Sequence, residues 1–416
     1  MPLPSALFLT TNYLNKMLEF TSASARVINS RRAIAECVEI LGGSPELDCR
    51  LLMIHASLGH NFGELAAEAR RLAPGATIVG ASCCGVIGRE GVSETMKDVA
   101  VMAVKGEEVN AVHVDHVFGH NSLEKSRELA LEIRRTLPGV NMVYFLASGI
   151  DIANDECIRA IEEILGPDVT VFGATSADNM RGLTSYQIFD AGVYEHSAWL
   201  VGFADSSLKV VTGASHGFVA VGEALWVTKA EGNRIFELNG RPAWLEYTER
   251  LGLNSDAHCG DTIPIGALAE RLDESLAAEY GNSHILRVVT SRDGGGTMLY
   301  ATTIREGTPL WLTVRDEDRI FADMDRMTSR ITAEAGNGKP VAVFHADCLA
   351  RGRHLFNRIL KEELVSRMQA PFSVDGEVPP WIGMYGFGEF ARLGGRNEYH
   401  NYTSAVYALY RCESGS

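Results

Sequence analysis

The sequence predicts an α/β protein of two mixed domains. The N-terminal one is an internally duplicated layered sandwich with helices outside and strands inside, and the C-terminal one is mostly antiparallel sheet with helices. Three observations carry this. A strand–helix–strand pattern occurs twice in the first half with the same landmark residues. The segments between those strands place apolar residues three and four apart, the period of a helix with one buried stripe. The second half alternates hairpin-like apolar runs with helical segments. The expected division is 1–217 and 218–416, with the duplicated units at about 50–110 and 142–210.

In the first unit LLMIHAS, ending in Ala56-Ser57, precedes the helical segment GELAAEARRLAPG, and Thr77-Ile78-Val79-Gly80-Ala81-Ser82 follows. In the second, MVYFLAS ends in Ala147-Ser148, ECIRAIEEILGPD forms the helix, and Thr170-Val171-Phe172-Gly173-Ala174-Thr175 follows. Both units continue into a strand pair around a polar turn, VAVMAVKGEEVNAVHV and AWLVGFADSSLKVVTG. The second half opens with a strand and a helix beginning near Pro242, a residue tolerated in a first helical turn. ILRVVTS and TMLYATTI form a hairpin around Gly294-Gly295-Gly296, whose glycines accept positive φ. PLWLTV is a strand and FADMDRMTSRITAEA a helix. PVAVFHADCLARGRHLFNRILKEEL reads as strand, loop, helix, and WIGMYGFGEFARL and HNYTSAVYALY close the chain.

The chain has 416 residues, 46% hydrophobic and 22% charged, with 53 Asp and Glu against 38 Lys and Arg. A net charge of −15 opposes binding to phosphate backbones and anionic lipid, which begins with clustered cations; neither nucleic acid nor membrane is an expected partner. Eight cysteines without a CxxC pair fit a reducing compartment and argue against a zinc ribbon. The N-terminus has no basic region before its interrupted apolar stretch, so no signal peptide is expected, and no window is long and apolar enough to span a membrane. A cytoplasmic protein is the expectation. Walker A, HExxH, EF-hand, GxSxG and correctly placed GxGxxG patterns do not occur.

Several stretches could carry chemistry. Ser82-Cys83-Cys84-Gly85 follows a buried strand, where small residues let a ligand approach backbone N–H groups or simply make a tight turn. A thiol there could be a nucleophile or a metal ligand. His345-Ala346-Asp347-Cys348-Leu349-Ala350-Arg351 gathers His, Asp, Cys and Arg at a strand-to-helix junction. There it could bind an anion, or Arg351 could merely pair with Asp347. Gly383-Met384-Tyr385-Gly386-Phe387-Gly388-Glu389-Phe390 puts three glycines and a carboxylate on one strand, as expected where a ligand or another backbone comes close. Glu389 could bond an amine or pair with Arg351. His258-Cys259 lies in an irregular loop.

The turn Gly80-Ala81-Ser82-Cys83-Cys84-Gly85-Val86-Ile87 resembles a glycine-rich turn of FIST domains, and Phe172-Gly173-Ala174-Thr175-Ser176-Ala177-Asp178 is similar to that family's second such turn. Cys348-Leu349-Ala350-Arg351, Tyr385–Phe390 and His400-Asn401-Tyr402-Thr403 resemble its closing motifs, in order. Cys84 and Phe390 depart from the usual small and aliphatic residues. The resemblance covers nearly the whole chain as a FIST N-terminal and C-terminal pair. It implies an intracellular sensory domain for small ligands, working with histidine kinases or cyclic-di-GMP enzymes, one branch of which binds haem and reports nitric oxide.

On that basis the expected protein is a non-enzymatic small-ligand sensor, with haem as the first ligand to consider and no catalytic residues. Another small metabolite such as an amino acid is the alternative ligand; a thiol enzyme using Cys348 or Cys83 is the alternative class. The ligand is expected between the halves, at Ser82, Cys83, Cys84 and Gly85, at Thr175, Ser176 and Asp178, and at Arg351, Tyr385 and Glu389. If haem binds, His258 is the first candidate axial ligand and His345 the second. A homo-oligomer is compatible with all of these readings.

Overall fold

The computed structural model of the chain describes residues 17–43, 46–179, 181–336, 338–352 and 357–412. The N-terminal segment read above for a signal peptide lies, through residue 16, outside them.

Strands that are apolar on both faces must be covered on both sides. Leu51–Ser57, Met142–Ala147 and Trp381–Gly386 are of this kind, buried at every position. One face of each looks into a shared interior where Tyr144, Phe172, Trp199, Phe344 and Tyr407 pack together. Tyr144–Phe344 and Phe172–Phe344 centroids are each 5.5 Å apart. The other faces lie beneath helices. Ser30–Ile40 and Phe62–Leu72 cover the first sheet, each opened by an asparagine whose side chain accepts a first-turn N–H, as Asn61 does from Glu64 at 3.0 Å.

The strand pairing shows three copies of one unit, where the sequence suggested two. Each unit runs strand, helix, strand, helix, strand, hairpin, strand. In the first, Glu19–Arg26, Asp98–Lys105, Leu51–Ser57 and Thr77–Cys83 lie side by side. In the second, Val109–Val114, Ala198–Phe203, Met142–Ala147 and Thr170–Thr175 repeat that order. In the third, Leu208–Ser215, Ser404–Arg411, Pro340–Cys348 and Trp381–Gly386 repeat it again. In every unit the second and third strands in chain order are parallel.

Each unit gives its hairpin to another unit's sheet. Val86–Gly88 pairs with Trp381–Gly386, Gln187–Phe189 with Thr77–Cys83, and Gly388–Leu393 with Thr170–Thr175. The exchange closes a three-membered cycle, so sheets contain strands from both sides of residue 217.

The copies share a register: Ile54 faces Gly80, Phe145 faces Gly173 and His345 faces Gly383. At each glycine a Cβ would press on the facing residue's carbonyl oxygen. The glycine of the repeat is therefore a steric requirement of parallel pairing at that point.

The third unit is interrupted after Ser215 by an inserted antiparallel sheet. Its strands include Phe218–Glu231, Gly266–Arg271 and Pro309–Arg315, and its own core contains Leu225, Ile235, Trp244, Tyr247 and Tyr300. The chain re-enters the unit through the helix Glu317–Ala335, opened by Asp316. Val289–Arg292 and Met298–Tyr300 form the hairpin expected around the three glycines. No described helix is long and apolar enough to cross a membrane.

Candidate functional site

The ends of the three equivalent strands meet. Ser82 exchanges hydrogen bonds with the second unit's turn: its carbonyl accepts the Ala177 N–H at 2.9 Å and its Oγ donates to the Ala177 carbonyl at 2.8 Å. Cys84 N–H donates to the Tyr385 carbonyl and Tyr385 N–H to the Gly85 carbonyl, each at 2.9 Å. Phe387 N–H reaches the Thr175 carbonyl at 3.3 Å. The turns singled out in the sequence are thus joined to one another through their backbones.

Beside this junction lies a buried charged cluster. Arg351 closes the short 3₁₀ turn after strand Pro340–Cys348 and is 1% exposed. Its Nε donates to Asp347 Oδ1 at 3.0 Å and its Nη1 to the His216 carbonyl at 3.0 Å. Its Nη2 has no partner among the described residues. Glu389, on the hairpin strand opposite Ala174, is 0% exposed, and among the described residues neither carboxyl oxygen has a partner within full hydrogen-bonding geometry, the Thr403 N–H and the Cys348 thiol being its nearest donors. Burial and the nearby Asp347 carboxylate push its acid well above the usual carboxylate range. Arg351, the Thr403 N–H and the Cys348 thiol oppose that shift. Glu389 and Arg351 form no ion pair within 4 Å; Arg351 pairs with Asp347.

Tyr385 stands beside Asp347 and Glu94, and burial holds its phenol neutral. The Glu94 side chain is itself enclosed and paired with Lys361 of helix Arg358–Gln369. A Cβ at Gly85 would lie 2.5 Å from Glu94 Cγ, so this glycine is what lets that carboxylate approach the turn. The far wall is aromatic: His216–Tyr280 centroids are 5.2 Å apart, Tyr280–His400 5.5 Å and Phe218–Tyr402 5.3 Å.

Of the residues expected at a ligand, the structure brings Arg351, Tyr385, Glu389, Cys84 and Gly85 into this neighbourhood, with Thr175 at its edge. Ser82, Ser176 and Asp178 are spent on the loops. Ser176 Oγ donates to Ser185 Oγ at 2.9 Å and accepts from Gln187 Nε2 at 2.6 Å, while Asp178 takes the N–H groups of Arg181 and Leu183. Burial raises the thiols of Cys83 and Cys348, opposite to the direction a nucleophile requires. Sequence reasoning missed Glu94, Lys361 and His216, which carry no local motif and meet the cluster only through the fold.

The two histidines considered for haem lie apart in role. His345 is buried, its Nε2 at 2.9 Å from Ser404 Oγ and its ring edge-on to Trp381. His258 is exposed and caps the short helix Cys259–Thr262. Among the described residues no group of three His, Cys, Asp or Glu is placed to hold a metal ion.

Of the other buried histidines, three are shifted furthest: burial lowers His216 and His400 to about 3 and His55 to about 4, from an ordinary 6.5. Their unfolded forms bind protons that the folded forms refuse, so their contribution to stability is present above about pH 6.5 and is lost as pH falls toward about 3. His400→Phe, which keeps a ring against Tyr280, should flatten that loss. Urea unfolding measured across this pH range checks it, and an unchanged slope would contradict it.

Fold and cluster define a triplicated α/β protein with an enclosed polar centre where its units meet. The chain belongs to the FIST family: residues 50–241 match the FIST N domain and residues 243–392 the FIST C domain. FIST domains are generally sensory domains. The chain is 25% identical over 387 residues to the uncharacterized protein Rv0628c of Mycobacterium tuberculosis, covering 90% of this chain and 95% of that one. It is 31% identical over 179 residues to the uncharacterized protein MJ1623 of Methanocaldococcus jannaschii, covering 40% and 34%. A crystal structure of a cyanuric acid hydrolase from A. caulinodans superposes with a TM-score of 0.37 at 8% identity, covering 95% of this chain and all of that one.

Proposed function

We propose that this protein is a non-catalytic sensor that encloses a small zwitterionic metabolite, an α-amino acid, at the Arg351–Glu389 cluster. The observation that carries the reading is a guanidinium and a carboxyl, both essentially unexposed, with polar atoms in one neighbourhood that have no partner among the described residues. Buried polar atoms are satisfied in folded proteins by protein, water or ligand, and here both charge types needed by an amino acid are present. A carboxylate suits Arg351 Nη2. An ammonium group suits Glu389, which would give up its proton as the cation arrives.

The cluster takes Asp347, Cys348 and Arg351 from the third unit, contacts the turns of the first and second, and is walled by Tyr280 of the insertion. Because it is closed to solvent, ligand entry requires local opening, and occupancy then favours the closed form. That change is what a signalling partner, a histidine kinase or a cyclic-di-GMP enzyme, would read; a homo-oligomer could present it.

Haem fits the described residues poorly. Of the two candidate ligands, His345 is engaged with Ser404 and Trp381, and His258 sits exposed at a helix cap.

Thermal unfolding with the proteinogenic amino acids and with haemin separates these readings, since a ligand of the native state raises apparent stability by mass action. An α-amino acid should stabilise the wild type and fail to stabilise Glu389→Gln, which keeps the shape of the side chain. Stabilisation by haemin with a Soret shift, or by no amino acid, would overturn the proposal.

A further inference from the structure

Away from the Arg351 cluster, a cavity of about 280 Å³ opens between the helix Asn154–Leu165, the segment 301–303 and the strand Arg396–His400. Its size corresponds to roughly ten water volumes, enough for a small organic molecule. Four carboxylates line it, from Asp155, Glu162, Glu270 and Glu398, against the guanidiniums of Arg159 and Arg287.

The cations are already committed. Arg287 Nε binds Glu270 at 2.5 Å and its Nη1 the Tyr399 carbonyl at 2.9 Å, and Arg159 turns to Glu156 and Glu163 on its own helix. Glu162 accepts from Asn397 Nδ2 at 2.7 Å. Asp155 Oδ2 accepts the Thr303 N–H at 3.3 Å, while its Oδ1 has no partner among the described residues.

Glu398 makes no hydrogen bond or ion pair among those residues, and burial raises its acid despite Arg287 nearby. Thr302, 5% exposed and lining the cavity, leaves its Oγ1 without a partner. Among the described residues the site therefore has more carboxylates than guanidiniums to pair with them, and one buried hydroxyl without a partner.

We propose that this cavity binds a small organic cation, an aliphatic amine or guanidine, through Glu398, Asp155 and Thr302. The carboxylates are not gathered for a metal ion, so the fitting ligand brings several N–H donors spread along a short chain. Bound there, it would bridge the second unit to the inserted sheet, which already meet through Asn154 N–H on the Ala301 carbonyl at 3.2 Å.

Titration calorimetry with putrescine and agmatine, against butanediol and magnesium chloride, tests this on the full chain. Both amines should bind the wild type and butanediol should not. Glu398→Gln should weaken them by about tenfold or more, the loss of one charge-assisted hydrogen bond. Asp155→Asn, which still accepts from Thr303, should weaken them too. Thermal unfolding of each variant confirms that it is folded. No amine binding, unchanged affinity in both folded variants, or equal competition by magnesium would overturn the proposal.

Discussion

Replacing Arg351 by methionine should lower the unfolding free energy by about 3–5 kcal/mol, the cost of leaving one partner of a buried ion pair alone. Asp347, as buried as Arg351, receives the guanidinium Nε at 3.0 Å, and its other oxygen lies 3.6 Å from His345 Nε2. Without Arg351 the carboxylate must take up a proton or unfold its surroundings, and the His216 carbonyl loses a donor. The double variant Arg351→Met with Asp347→Asn should recover most of the loss, because it leaves no buried net charge. Urea denaturation of the two variants measures both numbers. A loss below about 1 kcal/mol in the single variant would mean the pair behaves like a solvated one.

Gly173→Ala should destabilise by a comparable amount, on the order of 3–5 kcal/mol. Gly173 has φ of +135°, in the region open to glycine, and a Cβ there would overlap the Phe145 carbonyl oxygen on the parallel neighbour. Neither strand can retreat, since both are buried on both faces. Gly80→Ala, at the matching register of the first unit, meets the Ile54 carbonyl at 2.9 Å without a positive φ, and should cost less, about 1–3 kcal/mol. Thermal and denaturant unfolding of the pair checks the ranking; equal losses would contradict the steric account of the repeat glycine.

Much of the fold was legible because the first two units carry the same short words in the same order. Ala-Ser before the helix and Gly-Ala after it mark equivalent registers, and the helices have clean buried stripes. The third unit escaped notice for physical reasons. Its first strand, Leu208–Ser215, is cut off from its first helix by the inserted sheet, and His345-Ala346-Asp347-Cys348 replaces the Ala-Ser ending with charged and sulfur-bearing residues. Only Gly383 keeps the mark. Those replacements are also where the charged cluster sits, so the unit that departs most from the pattern supplies most of its chemistry.

The site was legible in part. Arg351, Tyr385 and Glu389 stand in glycine-rich or junction motifs that signal close approach. Ser176 and Asp178 stand in a similar turn, yet they serve the loops. Composition cannot distinguish a polar side chain that meets a ligand from one that satisfies a neighbouring backbone, because both need the same atoms. Glu94 and Lys361 lie far apart in sequence, and only the exchange of hairpins between units brings them together.

Arg351 and Glu389 are proposed to hold the ligand's two charges. A crystal structure of the protein grown with the amino acid that stabilises it most tests this directly. The ligand should lie enclosed at the cluster, its carboxylate within hydrogen-bonding reach of Arg351 Nη2 and its ammonium on Glu389. An amino acid found elsewhere, with the side chains of Arg351 and Glu389 unchanged and no ligand between them, would contradict it.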